Sequence, residues 1–232
     1  MSTSIAILAG GLATRLKPIS KTIPKSLIEI NGKAFIDYQL ETIASKKIRN
    51  VVICIGNLGE KIRRHIKNGN NFGLNIEYSD EGQKLLGTGG AILKALPLLS
   101  ENFFVMYGDS YLDFNYQELN SHFLKNKYPI MMAIYKNSNR YDKSNVLLKD
   151  NYLINYKKNN LNKNMSFIDY GISIMNKKLF RNFNHIEKFD LSEIFEKASN
   201  DKLLGGYEVK NRFYEIGSFA GLKDFKNKVL NK

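Results

Sequence analysis

The stretch IAILAGGLATRLKPISKTIPKSL, residues 5–27, joins a short apolar run to a loop that contains two adjacent glycines, an arginine and three lysines. The run at residues 5–8 is typical of a buried strand. Gly10 and Gly11 leave room for a ligand beside the backbone, and consecutive N–H groups can form a concave anion site. Open parallel sheets bind ligands at the carboxyl ends of their strands. The stretch therefore predicts an anion-binding loop, with a tight turn carrying solvated charges as the plainer alternative.

Strand and helix patterns alternate through the first half of the chain. Apolar runs predict strands at residues 5–9, 50–55, 75–79 and 102–107. Helices are predicted between these strands at residues 35–47, 60–67 and 89–99. Short apolar strands separated by helices indicate a parallel sheet that is covered on both faces.

The second half of the chain is richer in strand patterns. Strands are predicted at residues 129–135, 144–149, 152–156 and 167–175, and helices at residues 191–199 and 218–230. No repeat and no long linker separates the halves. We therefore expect an α/β fold with one Rossmann-like, mixed but mainly parallel sheet flanked by helices, in a single domain of residues 1–232.

Composition excludes several classes of protein. The chain is 43% hydrophobic and 25% charged, and no apolar run approaches the roughly 20 residues that span a bilayer. The first ten residues lack the features of a signal peptide. Cys54 is the single cysteine, so no internal disulfide can form, and we expect a buried strand residue in a cytoplasmic protein. A net charge of +13 favours an anionic partner, although abundant Lys and Asn make part of it compositional. The sequence has neither a zinc-ligand spacing nor an RNA-binding signature, so it does not indicate a nucleic-acid partner.

The first loop resembles the signature of the sugar-1-phosphate nucleotidyltransferases, G-G-x-G-T-R-L followed by a Pro-Lys pair. The matching positions are Gly10, Gly11, Thr14, Arg15, Leu16, Pro24 and Lys25. Ala13 departs from this signature, because the family usually has glycine there. Alanine fits the loop without strain if the backbone has a negative φ at that position.

Further segments resemble the same family in the same order along the chain. Residues 86–91, LGTGGA, are similar to its second glycine loop, and YGDS at residues 107–110 places Asp109 where the family has a magnesium-binding aspartate. Residues 169–171, DYG, match the segment that approaches the sugar ring. RFYEIGS at residues 212–218 resembles a late metal-binding element, with Glu215 in place of aspartate. Lys158 matches a lysine for the sugar phosphate, but Lys157 replaces a glutamate that grips sugar hydroxyls.

The resemblance implies a GT-A-like nucleotidyltransferase fold and transfer of a nucleoside monophosphate from an NTP to a sugar 1-phosphate, with release of pyrophosphate. It implies a nucleotide-binding half at residues 1–112 and a sugar-phosphate-binding half at residues 113–232. The implied catalytic cations are Arg15 and Lys25. Nucleotide contacts are implied for Leu8, Ala9, Gly10, Gly11, Thr14, Arg15, Glu81, Gly87, Thr88 and Asp109. Sugar-phosphate contacts are implied for Lys25, Gly108, Lys158, Tyr170 and Gly171, and Mg²⁺ ligands for Asp109 and Glu215.

The substrates are less constrained by the resemblance. Glu81 can accept hydrogen bonds from guanine, which favours GTP and a heptose or mannose 1-phosphate, in surface polysaccharide biosynthesis. A uridylyl- or cytidylyltransferase acting on another sugar phosphate, a GT-A glycosyltransferase and a non-catalytic nucleotide sensor remain alternatives. The glycosyltransferase is disfavoured because residues 109–111 lack a D-x-D motif. A homodimer is compatible with the sequence, and neither nucleic acid nor membrane insertion is expected.

Overall fold

A computed structural model describes residues 3–11, 22–149, 152–159 and 162–230 of the chain. The α-helices in these ranges are α1 Phe35–Ser45, α2 Gly59–Ile66, α3 Gly87–Ala95, α4 Tyr116–Lys125, α5 Leu191–Asn200 and α6 Phe219–Leu230. The strands are β1 Ser4–Leu8, β2 Glu29–Ile30, β3 Lys33–Ala34, β4 Asn50–Ile55, β5 Asn75–Asp80, β6 Asn102–Tyr107, β7 Ser110–Tyr111, β8 Ile130–Lys136, β9 Val146–Leu148, β10 Ile154–Tyr156, β11 Phe167–Asn176, β12 Leu204–Val209 and β13 Tyr214–Glu215.

Nine of the described strands form one sheet, in which β6, β1, β4 and β5 lie side by side and parallel. Leu8 at the end of β1 pairs with Cys54 of β4 and with Tyr107 of β6. β11 joins β6, β8 and β9 in antiparallel orientation, and β12 pairs in parallel with β8. The carboxyl ends of β1, β4, β5 and β6 therefore meet at one edge. The expected mixed sheet flanked by helices is confirmed.

Two hydrophobic cores cover the two faces of this sheet. Alternation along β1 directs Ile5 and Ile7 into the core beneath α1, α2 and α4, and Ala6 into the core beneath α3 and α5. Cys54 is fully buried in the second core, as the sequence predicts. No helix in the described ranges has the length and apolar character needed to cross a membrane.

Helix α6 packs outside the sheet and brings the late segment of the chain to its edge. Phe225 of α6 contacts the rings of Phe35 and Tyr111 edge-on or tilted, with centroids 5.1 and 4.9 Å away. β13 pairs with β7, which directly follows Asp109. The N–H of Ile216 donates to the carbonyl of Asp109 over 2.9 Å, so Glu215 is held beside the end of β6.

Candidate active site

A cavity of about 280 Å³ opens at the shared carboxyl edge of the parallel strands. Its walls come from segments that follow β1, β5 and β6, from the start of α3 and from the residue before α5. The lining residues are Leu8, Ala9, Gly10, Gly11, Lys25, Ser26, Glu81, Leu85, Gly87, Thr88, Ala91, Tyr107, Gly108, Asp109 and Asp190. Ten residues singled out from the sequence are among them. Their individual roles stay predictions.

The first glycine loop lies against the segment that follows β5. A Cβ built on Gly10 would lie 2.6 Å from Oε1 of Glu81 and 3.3 Å from the backbone nitrogen of Gly56, so a side chain there would displace the Glu81 carboxylate. A Cβ on Gly11 would meet no atom of the described residues within 4 Å. Glycine at position 10 therefore leaves the Glu81 carboxylate in place, whereas the described residues leave the backbone of Gly11 uncovered. Thr14 and Arg15 lie outside the described residues.

An ion pair spans the cavity between two segments that are distant in sequence. Lys25 begins the 3₁₀ turn Lys25–Leu27, and its Nζ lies 2.9 Å from Oδ2 of Asp109. The two side chains are only 21% and 32% exposed. Partial burial strengthens such a pair relative to a surface pair, because water screens it less. The pair fixes a cation and a carboxylate beside the glycine backbone.

Two carboxylates converge next to this ion pair, on the buried Gly217. A Cβ built on Gly217 would lie 2.7 Å from Oε2 of Glu215 and 3.1 Å from Oδ2 of Asp109. The Glu215 carboxylate also accepts hydrogen bonds from the N–H of Gly217 and, over 2.6 Å, from the hydroxyl of Ser218. No group of three or more His, Cys, Asp or Glu side chains gathers in the described part of the chain. Two carboxylates nevertheless fit Mg²⁺, which commonly takes one or two carboxylates together with substrate phosphates.

Glu81 places a carboxylate between the two glycine loops. Its Oε2 accepts the N–H of Leu86 over 2.9 Å, while its Oε1 faces Gly10. Burial raises the pKa of this carboxyl, and the Leu86 N–H and the charge of Lys94 oppose that rise. The arrangement leaves one acceptor oxygen directed at the first glycine loop.

Three residues expected at the sugar phosphate, Tyr170, Gly171 and Lys158, do not line this cavity. The side chain of Tyr170 is 1% exposed and packs against Phe114 in the core beneath α4, with ring centroids 5.4 Å apart. The expectation that this side chain reaches a sugar is therefore corrected, because alternation along β11 directs it to the other face. Gly171 has a φ of 98° and approaches Ser110, whose Oγ would lie 2.9 Å from an added Cβ. Lys158 binds Asp190, with Nζ and Oδ2 2.9 Å apart.

Sequence reasoning missed three acidic or phenolic groups near the cavity. Tyr107 and Asp190 line it. Burial is the main cause that raises the pKa of the Tyr107 phenol, and the charge of nearby Asp169 raises it further. Burial raises the pKa of Asp169 itself to about 6. The N–H of Gly171, which donates to this carboxylate over 2.9 Å, opposes that rise. Asp169 was identifiable only as the neighbour of Tyr170 on the opposite face of the strand.

Comparison with known proteins identifies relatives over most of the chain. A family model described as nucleotidyl transferase matches residues 5–145. The chain is 32% identical to D-glycero-alpha-D-manno-heptose 1-phosphate guanylyltransferase of Campylobacter jejuni, over 82% of this chain and 84% of that protein. It is 30% identical to the protein of the same name from Aneurinibacillus thermoaerophilus, over 91% of each chain.

Solved structures share the fold. HddC from Yersinia pseudotuberculosis superposes with a TM-score of 0.80 over 98% of this chain and 99% of that chain, at 24% identity. The same protein in complex with GMP-PN gives a TM-score of 0.79. At this level of identity the likeness is one of fold.

Proposed function

Since the chain belongs to the nucleotidyl transferase family, and within it to the sugar-1-phosphate nucleotidyltransferases, we propose that it transfers a guanylyl group from GTP to a heptose or mannose 1-phosphate. The products are a GDP-sugar and pyrophosphate. The observation that carries the proposal is the Lys25–Asp109 pair beside the glycine backbone, in the cavity at the carboxyl edge of the sheet. A cytoplasmic location is part of the proposal, because the reaction consumes a nucleoside triphosphate.

The reaction needs positioning and charge more than proton transfer. An oxygen of the sugar 1-phosphate attacks the α-phosphorus of GTP, and the bond from that phosphorus to the bridging oxygen breaks. Pyrophosphate leaves with the electron pair of the broken bond. Because the nucleophile is already an anion at neutral pH, no general base is required, and the site must chiefly hold two anions in line.

The described cavity supplies groups for this task. Gly10 and Gly11 present backbone to the nucleotide phosphates, and Lys25 offsets the charge at the α-phosphate and the incoming sugar phosphate. Arg15 is proposed to hold the leaving pyrophosphate. Asp109 and Glu215 would hold Mg²⁺, which neutralises phosphate charge when it is bound. The nucleotide-binding and sugar-phosphate-binding halves, divided at residue 112, are not strictly separate in this proposal. Lys25 of the first half acts on the sugar phosphate, and Asp190 of the second half lines the same cavity.

Guanine is favoured because Glu81 directs a carboxylate oxygen towards the nucleotide loop. Guanine offers N1–H and N2–H₂ donors to such an acceptor. The two relatives that match most of the chain are named as heptose 1-phosphate guanylyltransferases, which supports the choice of base and of heptose as the leading sugar.

The proposal is tested by pyrophosphate release with Mg²⁺ over a grid of nucleotides and sugars. GTP, UTP, CTP and dTTP are each combined with the 1-phosphates of D-glycero-α-D-manno-heptose, mannose, glucose and N-acetylmuramate. We expect the highest kcat/KM with GTP and heptose 1-phosphate. Preference for another base would reject the guanylyl assignment, and activity with no combination would reject group transfer by this chain.

A second experiment isolates base recognition. Inosine triphosphate lacks only the 2-amino group of GTP, so its KM reports whether that group is bound. Hydrogen bonds to charged groups contribute about 1.5–3 kcal/mol, which predicts that Glu81→Gln raises the KM for GTP about tenfold to a hundredfold. The variant should also reduce the preference for GTP over inosine triphosphate. An unchanged preference would remove Glu81 from the guanine contact.

A further inference from the structure

The second glycine loop gives its backbone donors to another part of the chain. The N–H groups of Gly89 and Gly90 both donate to the carbonyl of Phe189, over 2.9 and 3.2 Å. The N–H and hydroxyl of Thr88 lie 3.2 and 3.3 Å from Oδ1 of Asp190. These are the first-turn donors of α3, which would otherwise attract an anion such as phosphate. The Phe189 carbonyl and the Asp190 carboxylate already satisfy them.

Glycine in this loop permits the contact between α3 and the segment before α5. A Cβ built on Gly87 would lie 2.4 Å from the carbonyl oxygen of Phe189, and one on Gly89 would lie 2.3 Å from its ring. The Phe189 N–H in turn donates to the carbonyl of Leu86 over 3.1 Å. The loop is therefore packed against protein on this side, and its position depends on where residues 189–190 are held.

Lys158 fixes Asp190 from outside the cavity. Its Nζ lies 2.9 Å from Oδ2, the oxygen that does not bind Thr88, and its backbone N–H donates to Oε1 of Glu196 over 2.8 Å. Glu196 lies on α5, whose first amide, that of Leu191, donates to the Thr88 hydroxyl over 2.8 Å. The hydrogen bond from Lys158 is the main reason that the pKa of Asp190 lies below its ordinary value. A continuous chain of contacts thus runs from Lys158 through Asp190 to Thr88.

We propose that Lys158 is a positioning residue for the nucleotide: through Asp190 it holds Thr88 and the second glycine loop at the wall of the cavity. This role rests on the proposed function and replaces direct contact with the sugar phosphate as the main task of Lys158. Lys158 does not line the described cavity, whereas Asp190 and Thr88 do. The ammonium therefore acts on bound nucleotide through the carboxylate that it holds.

Positioning of the nucleotide and direct contact with the sugar phosphate predict different effects of substitutions on binding. A positioning role means that Lys158→Met and Asp190→Asn both weaken nucleotide binding, and that the double variant is no weaker than the poorer single variant. Direct phosphate contact means that Lys158→Met raises the KM for sugar 1-phosphate alone. In that case Asp190→Asn would release the ammonium and leave nucleotide binding unchanged. Asparagine suits the N-cap of α5 as well as aspartate does, so the substitution spares the helix.

The experiment is isothermal titration calorimetry of GTP with the wild type, Lys158→Met, Asp190→Asn and the double variant. Because the Lys158 and Asp190 side chains are 51% and 43% exposed, we expect a modest loss of about threefold to tenfold in affinity. Lys158→Arg should restore most of the affinity, since guanidinium can also donate to Asp190. Lys197→Met is the matched control, because Lys197 of α5 pairs with Asp201, the residue after that helix, 3.2 Å away, and neither residue lines the cavity.

The outcomes separate this inference from the proposed function. If the wild type binds GTP and the Lys158 and Asp190 variants bind it equally well, the positioning role is overturned while guanylyl transfer stands. Additive losses in the double variant would also overturn it, because they would show independent contacts. If the wild type binds no nucleotide, the proposed function fails first. Kinetics should show the loss in the KM for GTP, with kcat little changed.

Discussion

Replacement of Asp169 by asparagine should stabilise the protein at neutral pH and leave its stability unchanged in acid. The Asp169 carboxyl is largely buried, accepts one hydrogen bond from the N–H of Gly171 and forms no ion pair in the described part of the chain. Its neighbours are the phenols of Tyr107 and Tyr156, whose pKa values it helps to raise. A buried carboxylate without a cation is costly, so the folded protein favours the protonated form.

The sign and size of the effect follow from the pKa. The carboxyl has an ordinary pKa of 3.8, and burial raises it to about 6 in the folded chain. Between these values the unfolded chain has lost its proton while the folded chain keeps it, so wild-type stability falls as pH rises from about 4 to about 6. Above that range the loss is complete and constant. One pKa unit corresponds to about 1.4 kcal/mol, which gives a cost on the order of 3 kcal/mol at pH 7.

An asparagine side chain at this position carries no charge at any pH and still offers an oxygen to the Gly171 N–H. After allowance for a weaker hydrogen bond, Asp169→Asn should raise the free energy of unfolding by about 2 kcal/mol at pH 7–8 and by little at pH 4. The assay is urea unfolding followed by far-ultraviolet circular dichroism at pH 4, 5, 6, 7 and 8. The control is Asp142→Asn, which makes the same substitution at an exposed position. Parallel stability curves for the wild type and Asp169→Asn would refute the reasoning.

Three other predictions concern the cavity and the core. Lys25→Ala or Asp109→Ala should lower kcat by on the order of a hundredfold or more, because each removes a preorganised charge; near-normal turnover in a folded variant would contradict the assignment. Gly89→Ala should cost about 1–3 kcal/mol in urea unfolding, since its Cβ would lie 2.3 Å from the Phe189 ring, and an unchanged midpoint would show that the ring moves freely. Cys54 should resist iodoacetamide in the native protein, because burial raises the pKa of its thiol to about 12; mass spectrometry showing rapid alkylation would contradict its burial.

Local signals sufficed to locate the cavity. Gly10 lies two residues after the apolar strand β1, and Asp109 lies two residues after the apolar strand β6, so both could be assigned to the carboxyl edge without knowing the strand order. Edge location is a property of parallel strands in general. The Pro-Lys pair at residues 24–25 is different. No local pattern predicts that Lys25 lies near Asp109, and only resemblance to a family assigns Lys25 to the site.

Among the described α-helices and the strands of the nine-stranded sheet, two elements escaped prediction because their local patterns were weak or misleading. Helix α4 begins at Tyr116, after Asn115 caps the amides of Gln117 and Glu118, but its exposed face is polar and its apolar face narrow. Strand β12 contains Gly205 and Gly206, which in sequence favour a turn. In the structure these glycines leave room for neighbouring side chains. A Cβ added to Gly205 would lie 2.7 Å from Tyr128, and one added to Gly206 would lie 2.3 Å from Ile154.

Tyr170 and Asp169 show how strand register limits functional prediction. The motif match covers residues 169–171 as a block, but side chains of a strand alternate between faces, so only one of two neighbours can approach the cavity side. A shift in register between Asp169 and Ser173 against β8 further changes the alternation around Gly171. A sequence motif fixes which backbone reaches the site, and the pairing of β11 decides which side chain does.

The glycines of the second loop also show that a motif match does not decide what a residue contacts. Resemblance to a family suggests that glycine is there to admit a ligand, yet Gly87 and Gly89 meet Phe189, about a hundred residues further along the chain. Gly89→Ala therefore tests a contact within the protein, whereas Gly11→Ala, whose Cβ would meet no described residue within 4 Å, tests access for a ligand. If ligand access explains both glycines, the two substitutions should weaken GTP binding alike and leave stability unchanged. Packing predicts instead that only Gly89→Ala lowers the unfolding midpoint, and that it weakens GTP binding through displacement of the loop.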